Sequence, residues 1–185
     1  MAKTKKFNVK GPCISEDHYM VDISKRLEKM KMLVEEREYF VINRARQYGK
    51  TTTLTELEGY LADEYIVISI SFHGLGDLSF ASEEIFCQSF LKKIKQKLRF
   101  TKVSKEYRES WHDEEVVNFD LLNYHITDMC EGKKVVLMID EVDRASNHRI
   151  FLSFLGTLRD KYIERNKRKD FTFQSIILAG VYDGI

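Results

Sequence analysis

The chain has 185 residues, of which 43% are hydrophobic and 32% charged, with a formal net charge of +1. This length predicts one domain with a sizeable core, and the balanced charge excludes a global field that would favour nucleic acid or a membrane surface. The three cysteines are far apart and none belongs to a Cys-x-x-Cys pair, which argues against a disulfide framework and a zinc ribbon.

Residues 1–21 are expected to form an irregular N-terminal segment, because Gly11-Pro12 breaks regular structure. Their basic start is not followed by the apolar core of a signal peptide. No apolar run in the chain approaches the ~20 residues that span a bilayer. We therefore expect a cytoplasmic protein without a membrane partner, in which residues 22–185 form the folded core.

Helical and strand patterns alternate along this core. The predicted helices cover residues 22–38, 50–63, 82–98, 115–130 and 147–164, and the predicted strands cover residues 39–43, 65–72, 135–139 and 171–181. The highly charged residues 100–114 are expected to form a surface connection or an extra helical turn around an isolated Trp111. The alternation predicts an α/β fold with a mostly parallel sheet, helices on both faces, and the carboxyl ends of the strands on one edge.

The first motif lies between the first predicted strand and the second predicted helix. There Gly49-Lys50-Thr51 forms the core of a phosphate-binding loop, although Arg44 replaces the first glycine of the usual pattern. In such a loop the backbone N–H groups bind phosphate, the lysine reaches the terminal phosphates and the hydroxyl binds Mg²⁺. The alternative is a basic turn with a surface lysine. The predicted nucleotide-binding residues are Arg46, Gln47, Tyr48, Gly49, Lys50, Thr51 and Thr52.

The second motif is the apolar strand at residues 135–139, which ends in Asp140 and Glu141. Asp140 is predicted to hold Mg²⁺ through water, together with Thr51, and Glu141 to act as the general base on the attacking water. A strand that merely ends in solvated acids is the alternative. Because both motifs occur in this order and context, we predict an ATP and Mg²⁺ site. The acid pair favours an ATPase with a catalytic glutamate over a GTPase or a nucleotide kinase.

Three stretches carry a resemblance to a known family: FVINRARQYGKTT at residues 40–52, VLMIDEVD at residues 136–143 and IILAGVYD at residues 176–183. With these the chain resembles the prokaryotic AAA-like ATPases, P-loop NTPases related to the AAA+ and STAND ATPases, many of which also lack the first glycine. The resemblance implies a three-layer P-loop NTPase fold, ATP and Mg²⁺, and hydrolysis that drives a conformational switch or motor module. It also implies a sensor beside the γ-phosphate after the fourth strand, where Tyr182 and Asp183 are the candidates.

The family pattern continues past the residues present here. The core is therefore expected to lack the last strand and the helical lid, as if truncated at its C-terminus. Two other functions stay open: a nucleotide-binding scaffold without hydrolysis, and the ATPase part of a nuclease-linked, DNA-associated protein. A homo-oligomer or a downstream effector domain is the expected partner besides ATP. Arg159, Arg165 and Arg168 are interpreted as a solvated basic helix end, with an arginine finger acting on a second copy as the alternative. The run from Lys161 to Lys169 is likewise interpreted as solvated, with a nucleic-acid patch as the alternative.

Overall fold

A computed structural model of the chain describes residues 22–43, 49–112 and 115–180. The helices are α1 (Ser24–Glu35), α2 (Lys50–Leu61), α3 (Glu83–Leu98), α4 (Lys105–Ser110), α5 (Phe119–Cys130) and α6 (Arg149–Asn166). The strands are β1 (Phe40–Asn43), β2 (Ile66–Ser71), β3 (Val135–Asp140) and β4 (Ser175–Gly180), and short 3₁₀ turns lie at Asp77–Phe80 and Val142–Arg144. None of the helices in these described ranges is long and apolar enough to cross a membrane.

The four strands form one sheet in the order β1-β4-β3-β2, and every pair is parallel. Asn43 at the end of β1 lies opposite Gly180, and Asp140 at the end of β3 lies opposite Ser71 of β2. The carboxyl ends of all four strands therefore reach the same edge of the sheet, as the sequence predicts.

Helices cover both faces of this sheet, so the predicted three-layer α/β fold is confirmed. Successive side chains of a strand point to opposite faces. On β3, Val136 and Met138 accordingly pack with the leucines of α2, while Leu137 and Ile139 pack with α3, α5 and α6. Every residue of β3 is buried, as expected for a central strand covered on each side.

Of the two predictions for the charged stretch around Trp111, the extra helical turn is confirmed by the short helix α4. The expectation of an isolated Trp111 is wrong, because its side chain is fully buried. Its ring stacks near Phe173 at 6.3 Å and stands perpendicular to His125 at 5.8 Å. A six-residue helix is too short to show helical periodicity, so its polar composition concealed the buried aromatic residue.

The interpretation of residues 161–169 as a uniformly solvated run is wrong at Lys161, which is only 4% exposed. Its ammonium donates to Asp170 at 2.7 Å, to the Thr127 hydroxyl at 2.7 Å and to the Asn123 carbonyl at 3.1 Å. A buried ammonium ion needs such partners to offset the loss of hydration. This network joins α5 to α6 and to the connection before β4.

The prediction that Arg165 is freely solvated at the end of its helix is also wrong. Its guanidinium donates to the carbonyl oxygens of Phe173 and Arg37, each at 2.7 Å, and lies against the rings of Tyr39 and Tyr162. The side chain therefore joins the end of α6 to the segments that lead into β1 and β4.

Candidate functional site

The amino end of α2 meets the carboxyl edge of the sheet at the end of β3. Gly49 caps the helix in the left-handed conformation, with φ of +70°, which a residue with a side chain adopts only at a cost. Thr53 ties the first turn to this glycine, because its backbone N–H and its hydroxyl both donate to the Gly49 carbonyl, at 2.9 and 2.8 Å. The first turn of a helix carries N–H groups without helical partners and a positive dipole end, which together suit an anion.

Thr51 and Asp140 come together at this edge although 89 residues separate them. The Thr51 hydroxyl donates to Asp140 Oδ2 at 3.1 Å, and the other oxygen of the buried Asp140 accepts from the Glu141 N–H at 2.8 Å. A hydroxyl and a carboxylate are oxygen ligands of the kind that Mg²⁺ takes together with waters and substrate phosphates. The two side chains therefore fit a magnesium ion by chemistry and by position.

Glu141 has an unusual backbone for a residue with a side chain. Its φ of 58° and ψ of 39° are left-handed, which costs about 1–2 kcal/mol. The residue begins the 3₁₀ turn Val142–Arg144, and its side chain is 33% exposed. Backbone strain of this kind is common at functional sites, where surrounding structure holds it in place.

The Glu141 carboxylate has two basic neighbours on one oxygen. Its Oε2 atom is buried and lies 2.8 Å from His73 Nδ1 and 3.4 Å from Arg144 Nε. Neither contact is aligned as a hydrogen bond. The Arg144 contact is an ion pair, and the His73 contact is a close approach of the imidazole ring to the carboxylate.

His73 is the residue of this site that the motifs did not indicate. It follows β2, and its N–H donates to the Ser71 hydroxyl at 3.0 Å, while the Phe72 N–H donates to the Asp140 carbonyl at 3.0 Å. The sequence places His73 at the carboxyl end of a strand. That position becomes informative only when β2 is known to lie beside β3.

The end of β4 contributes backbone and no side chain. A Cβ atom at Gly180 would lie 3.0 Å from Val142 Cγ2 and 3.2 Å from Asp143 Oδ1. The turn after Glu141 therefore packs directly on the last described residue of this strand.

The predicted site residues fall into two groups. Gly49, Thr51, Thr52, Asp140 and Glu141 lie at the carboxyl edge of the sheet or in the first turn of α2, and Lys50 is the first residue of that helix. Those that lie outside the described residues are Arg46, Gln47, Tyr48, Tyr182 and Asp183.

Comparison with known families identifies the domain. A family model described as an AAA-like domain matches residues 17–182, which include both motifs and all four strands. No curated protein matches the chain. At the level of the family, an AAA-like domain indicates a nucleotide-binding ATPase domain. The chain belongs to the AAA-like domain family.

Proposed function

We propose that this domain binds ATP with Mg²⁺ and hydrolyses the β–γ phosphoanhydride bond, and that hydrolysis drives a conformational switch or motor module. The observation that carries the proposal is the 3.1 Å contact between the Thr51 hydroxyl and Asp140. It joins the hydroxyl of the phosphate-binding loop to the buried acid of β3, as a shared magnesium site requires.

The loop and the first turn of α2 bind the phosphates. Gly49 and the residues after it offer backbone N–H groups at the positive end of the helix dipole. Lys50 reaches the β- and γ-phosphate oxygens, and the other loop contacts come from Arg46, Gln47, Tyr48 and Thr52.

Thr51 and Asp140 hold Mg²⁺, with Asp140 acting through a water molecule. When bound, the ion neutralises charge that develops on the phosphate oxygens. Asp140 is suited to holding the ion because its Oδ1 atom already accepts a hydrogen bond from the Glu141 N–H. This bond fixes the carboxylate at the end of β3.

Glu141 is the general base. Its carboxylate accepts a proton as the water oxygen bonds to the γ-phosphorus atom. The bond to the β–γ bridging oxygen breaks, and its electron pair leaves with ADP. Tyr182 and Asp183 are proposed to contact the γ-phosphate as the sensor.

The first test is nucleotide binding by the Lys50→Ala variant, measured by titration calorimetry with ATP and Mg²⁺. Binding should be lost, because the loop loses the charge that reaches the terminal phosphates. Lys102→Ala is the matched control, since that lysine is 86% exposed and pairs with Asp63 far from the loop. Unchanged affinity in Lys50→Ala contradicts the proposed site.

The second test separates binding from chemistry. Glu141→Gln keeps the size of the side chain and removes the base, so ATP should bind normally while hydrolysis slows by about 10²–10⁴-fold. Single-turnover phosphate release measures the rate. A variant that hydrolyses ATP as fast as the parent protein assigns the base to another residue.

A nucleotide-binding scaffold without hydrolysis is the second candidate, and Gly180 favours it. Gly180, at the end of β4, offers no polar side chain to a bound nucleotide, and a Cβ atom added there would lie only 3.0 Å from Val142 Cγ2 and 3.2 Å from Asp143 Oδ1. Retained ATP binding with no phosphate release above background would support the scaffold and contradict hydrolysis by this domain.

A further inference from the structure

We propose that the outer face of α3 and the cleft at its end bind single-stranded nucleic acid. The basic side chains of this face contact the phosphates, and Phe100 stacks on a base. The surface lies away from the candidate ATP site, so the inference does not depend on ATP binding or hydrolysis.

Basic residues are concentrated along α3 and just after it. Between Ile85 and Lys105 there are seven basic residues and no acidic residue, although the whole chain has a net charge of only +1. A local excess of this kind creates a positive field that the net charge conceals, and it is the electrostatic footprint of a surface that binds a polyanion. The seven residues are Lys92, Lys93, Lys95, Lys97, Arg99, Lys102 and Lys105.

The outer face of α3 carries this charge because the inner face is buried in the core. Phe86, Phe90 and Ile94 on the inner face are no more than 1% exposed. In the part of the chain that the structure describes, no acidic side chain forms an ion pair with the basic residues at positions 93, 95 and 99. The exposed or half-buried basic residues of the outer face are Lys92, Lys93, Lys95, Lys97 and Arg99.

The helix dipole explains only part of this basic face. Cations in the last turn of a helix interact favourably with the dipole, which accounts for Lys95 and Lys97. It does not account for Lys93, which lies four residues before Lys97, because like charges at this spacing destabilise a helix. Partial burial and the charge of Lys97 lower the pKa of Lys93. A phosphate bound beside the two ammonium groups would relieve their repulsion.

A cleft of about 440 Å³ opens beside Phe100, just after the end of α3. Its walls come from the end of α2, the start of the edge strand β2 and the segment between α3 and α4. Ligand pockets have volumes of roughly 300–1,000 Å³, so the cleft has room for a base. Phe100 lines the cleft and is 88% exposed, which leaves its ring free to stack. An exposed aromatic ring next to a basic face is the arrangement that binds single strands.

The acidic side chains around the cleft have basic neighbours. Asp63 accepts from Lys102 at 3.1 Å, and Glu64 forms an ion pair with a lysine of α1. Burial raises the pKa of the Glu58 carboxyl, and the nearby charge of Lys97 partly opposes this shift. The acids of the cleft therefore do not repel a phosphate backbone that follows α3.

The backbone of β2 adds polar groups to the cleft. The Ile66 N–H donates to the Lys134 carbonyl of the neighbouring segment, so the N–H and C=O of the next residue, Val67, point to the open edge of the sheet. Val67 lines the cleft. A base stacked on Phe100 therefore finds both a donor and an acceptor at this edge, and little preference among the bases is expected.

These features favour a single strand over a duplex or a membrane surface. In a duplex each base is stacked between its neighbours, so no base face is available to Phe100. An interfacial helix inserts an apolar face among lipids, whereas the apolar face of α3 is already buried in the core. Single-stranded bases, in contrast, are free to stack on aromatic side chains.

The first test removes charge from the basic face. Fluorescence anisotropy measures the binding of labelled single-stranded DNA and RNA of about 12 nucleotides and mixed sequence. The titrations are repeated between about 50 and 200 mM salt. Combined replacement of Lys93, Lys97 and Arg99 by glutamine should weaken binding by roughly tenfold or more. It should also make the plot of log K against log salt shallower by about 2, because each phosphate contact contributes about 0.7.

The matched control removes the same charge from another surface. Lys25, Arg26 and Lys29 are exposed residues of α1, which packs against the other core. Their combined replacement by glutamine should leave the affinity within about twofold of the parent protein, since salt screens charges that lie more than about 10 Å away.

The second test removes the stacking ring and keeps the charge. Phe100→Ala should weaken binding by about 5- to 100-fold, because a base loses its aromatic platform, while the salt dependence stays the same. Phe100→Tyr keeps an aromatic ring and should restore most of the affinity. Tyr124→Ala is the matched control, since Tyr124 is an aromatic residue of α5 that is 72% exposed and lies outside the cleft.

Several results would overturn the inference. They are the absence of oligonucleotide binding at about 50 mM salt, and parental affinity in either the basic triple variant or Phe100→Ala. Tighter binding to a duplex of the same sequence would also overturn it. So would cosedimentation with vesicles of phosphatidylserine and phosphatidylcholine that the oligonucleotides do not compete away.

The same titrations separate this inference from the proposed ATPase. Lys50→Ala should bind the oligonucleotides as the parent protein does, because Lys50 is at the other edge of the sheet from the cleft. Failure of ATP binding therefore leaves the inference intact, and failure of oligonucleotide binding leaves the proposed ATPase intact. Among results that support the inference, a preference between the two labelled strands identifies the ligand as DNA or RNA.

Discussion

Gly180 shows how one residue without a side chain shapes the site. A Cβ atom added here would be in tight contact with Val142 and Asp143, and one of the close atoms, Asp143 N at 3.4 Å, belongs to the backbone. Gly180→Ala should displace the turn after Glu141 and destabilise the fold by roughly 1–3 kcal/mol. In the proposed ATPase, kcat should fall more than the affinity for ATP.

Urea unfolding and steady-state kinetics measure these two effects. Gly156→Ala is the matched control, because Gly156 lies inside α6 with nothing within 4 Å of an added Cβ. That variant should stabilise the fold by about 0.5–1 kcal/mol through helix propensity. Gly180→Ala with normal stability and normal kinetics would show that the turn tolerates the displacement.

At the residue scale, the sequence predicts those site residues that belong to a motif of consecutive residues. Gly49 to Thr51 and Asp140-Glu141 are recognisable because each motif is continuous along the chain. The contact between His73 and Glu141 cannot be recognised from such a motif, since it depends on which strands are adjacent in the sheet. The partners of Lys161 were missed for the same reason: Thr127 lies on α5 and Asp170 in the connection before β4.

Helix α5 carries a buried histidine that should make stability depend on pH. His125 is buried with its Nε2 unpartnered, its ring perpendicular to Trp111 and 4.8 Å from that of His112. Burial, and to a smaller extent His112, lower the pKa of His125 from 6.5 to about 4. Between these two values the unfolded chain binds the proton and the folded chain does not. The stability that neutral His125 contributes is therefore complete above pH 6.5 and is lost as the pH falls toward 4.

Urea unfolding at pH 7 and pH 5 measures this effect. The fall in unfolding free energy between the two values should include roughly 1–2 kcal/mol from His125. His125→Gln removes the titrating group, so this variant should lose less stability over the same interval. An equal loss in both proteins would assign the pH dependence to other groups.

At the element scale, long periodic segments were predicted well and short ones poorly. The aromatic residues Phe86, Phe90 and Phe154 were expected in the core and are buried there, since α3 and α6 run for four or more turns. Helix α5 begins at Phe119, four residues later than expected. Asn118 caps it by accepting from the Leu121 N–H, and the Phe119 N–H donates to Glu83. A tertiary contact therefore sets where this helix begins.

The whole molecule is organised by one parallel sheet between two cores, and the alternation of strands and helices was sufficient to predict it. The candidate site joins these layers. Thr51 belongs to α2 on one face of the sheet, Asp140 to the central strand β3, and Gly180 to β4. A ligand bound there contacts elements that share both cores, so its binding should stabilise the fold as a unit.

This coupling gives a prediction for thermal unfolding. A ligand that binds only the folded state at 100 times its Kd adds about 2.7 kcal/mol. For a chain of this size, that corresponds to an increase in Tm of roughly 5–10 °C. ATP with Mg²⁺ should therefore raise the Tm of the parent protein and of Lys102→Ala, but not that of Lys50→Ala.

Calorimetric scans with Glu141→Gln avoid consumption of the nucleotide. If saturating ATP leaves the Tm of this variant unchanged, the site does not bind ATP, because ligand binding to the folded state alone must shift the unfolding equilibrium.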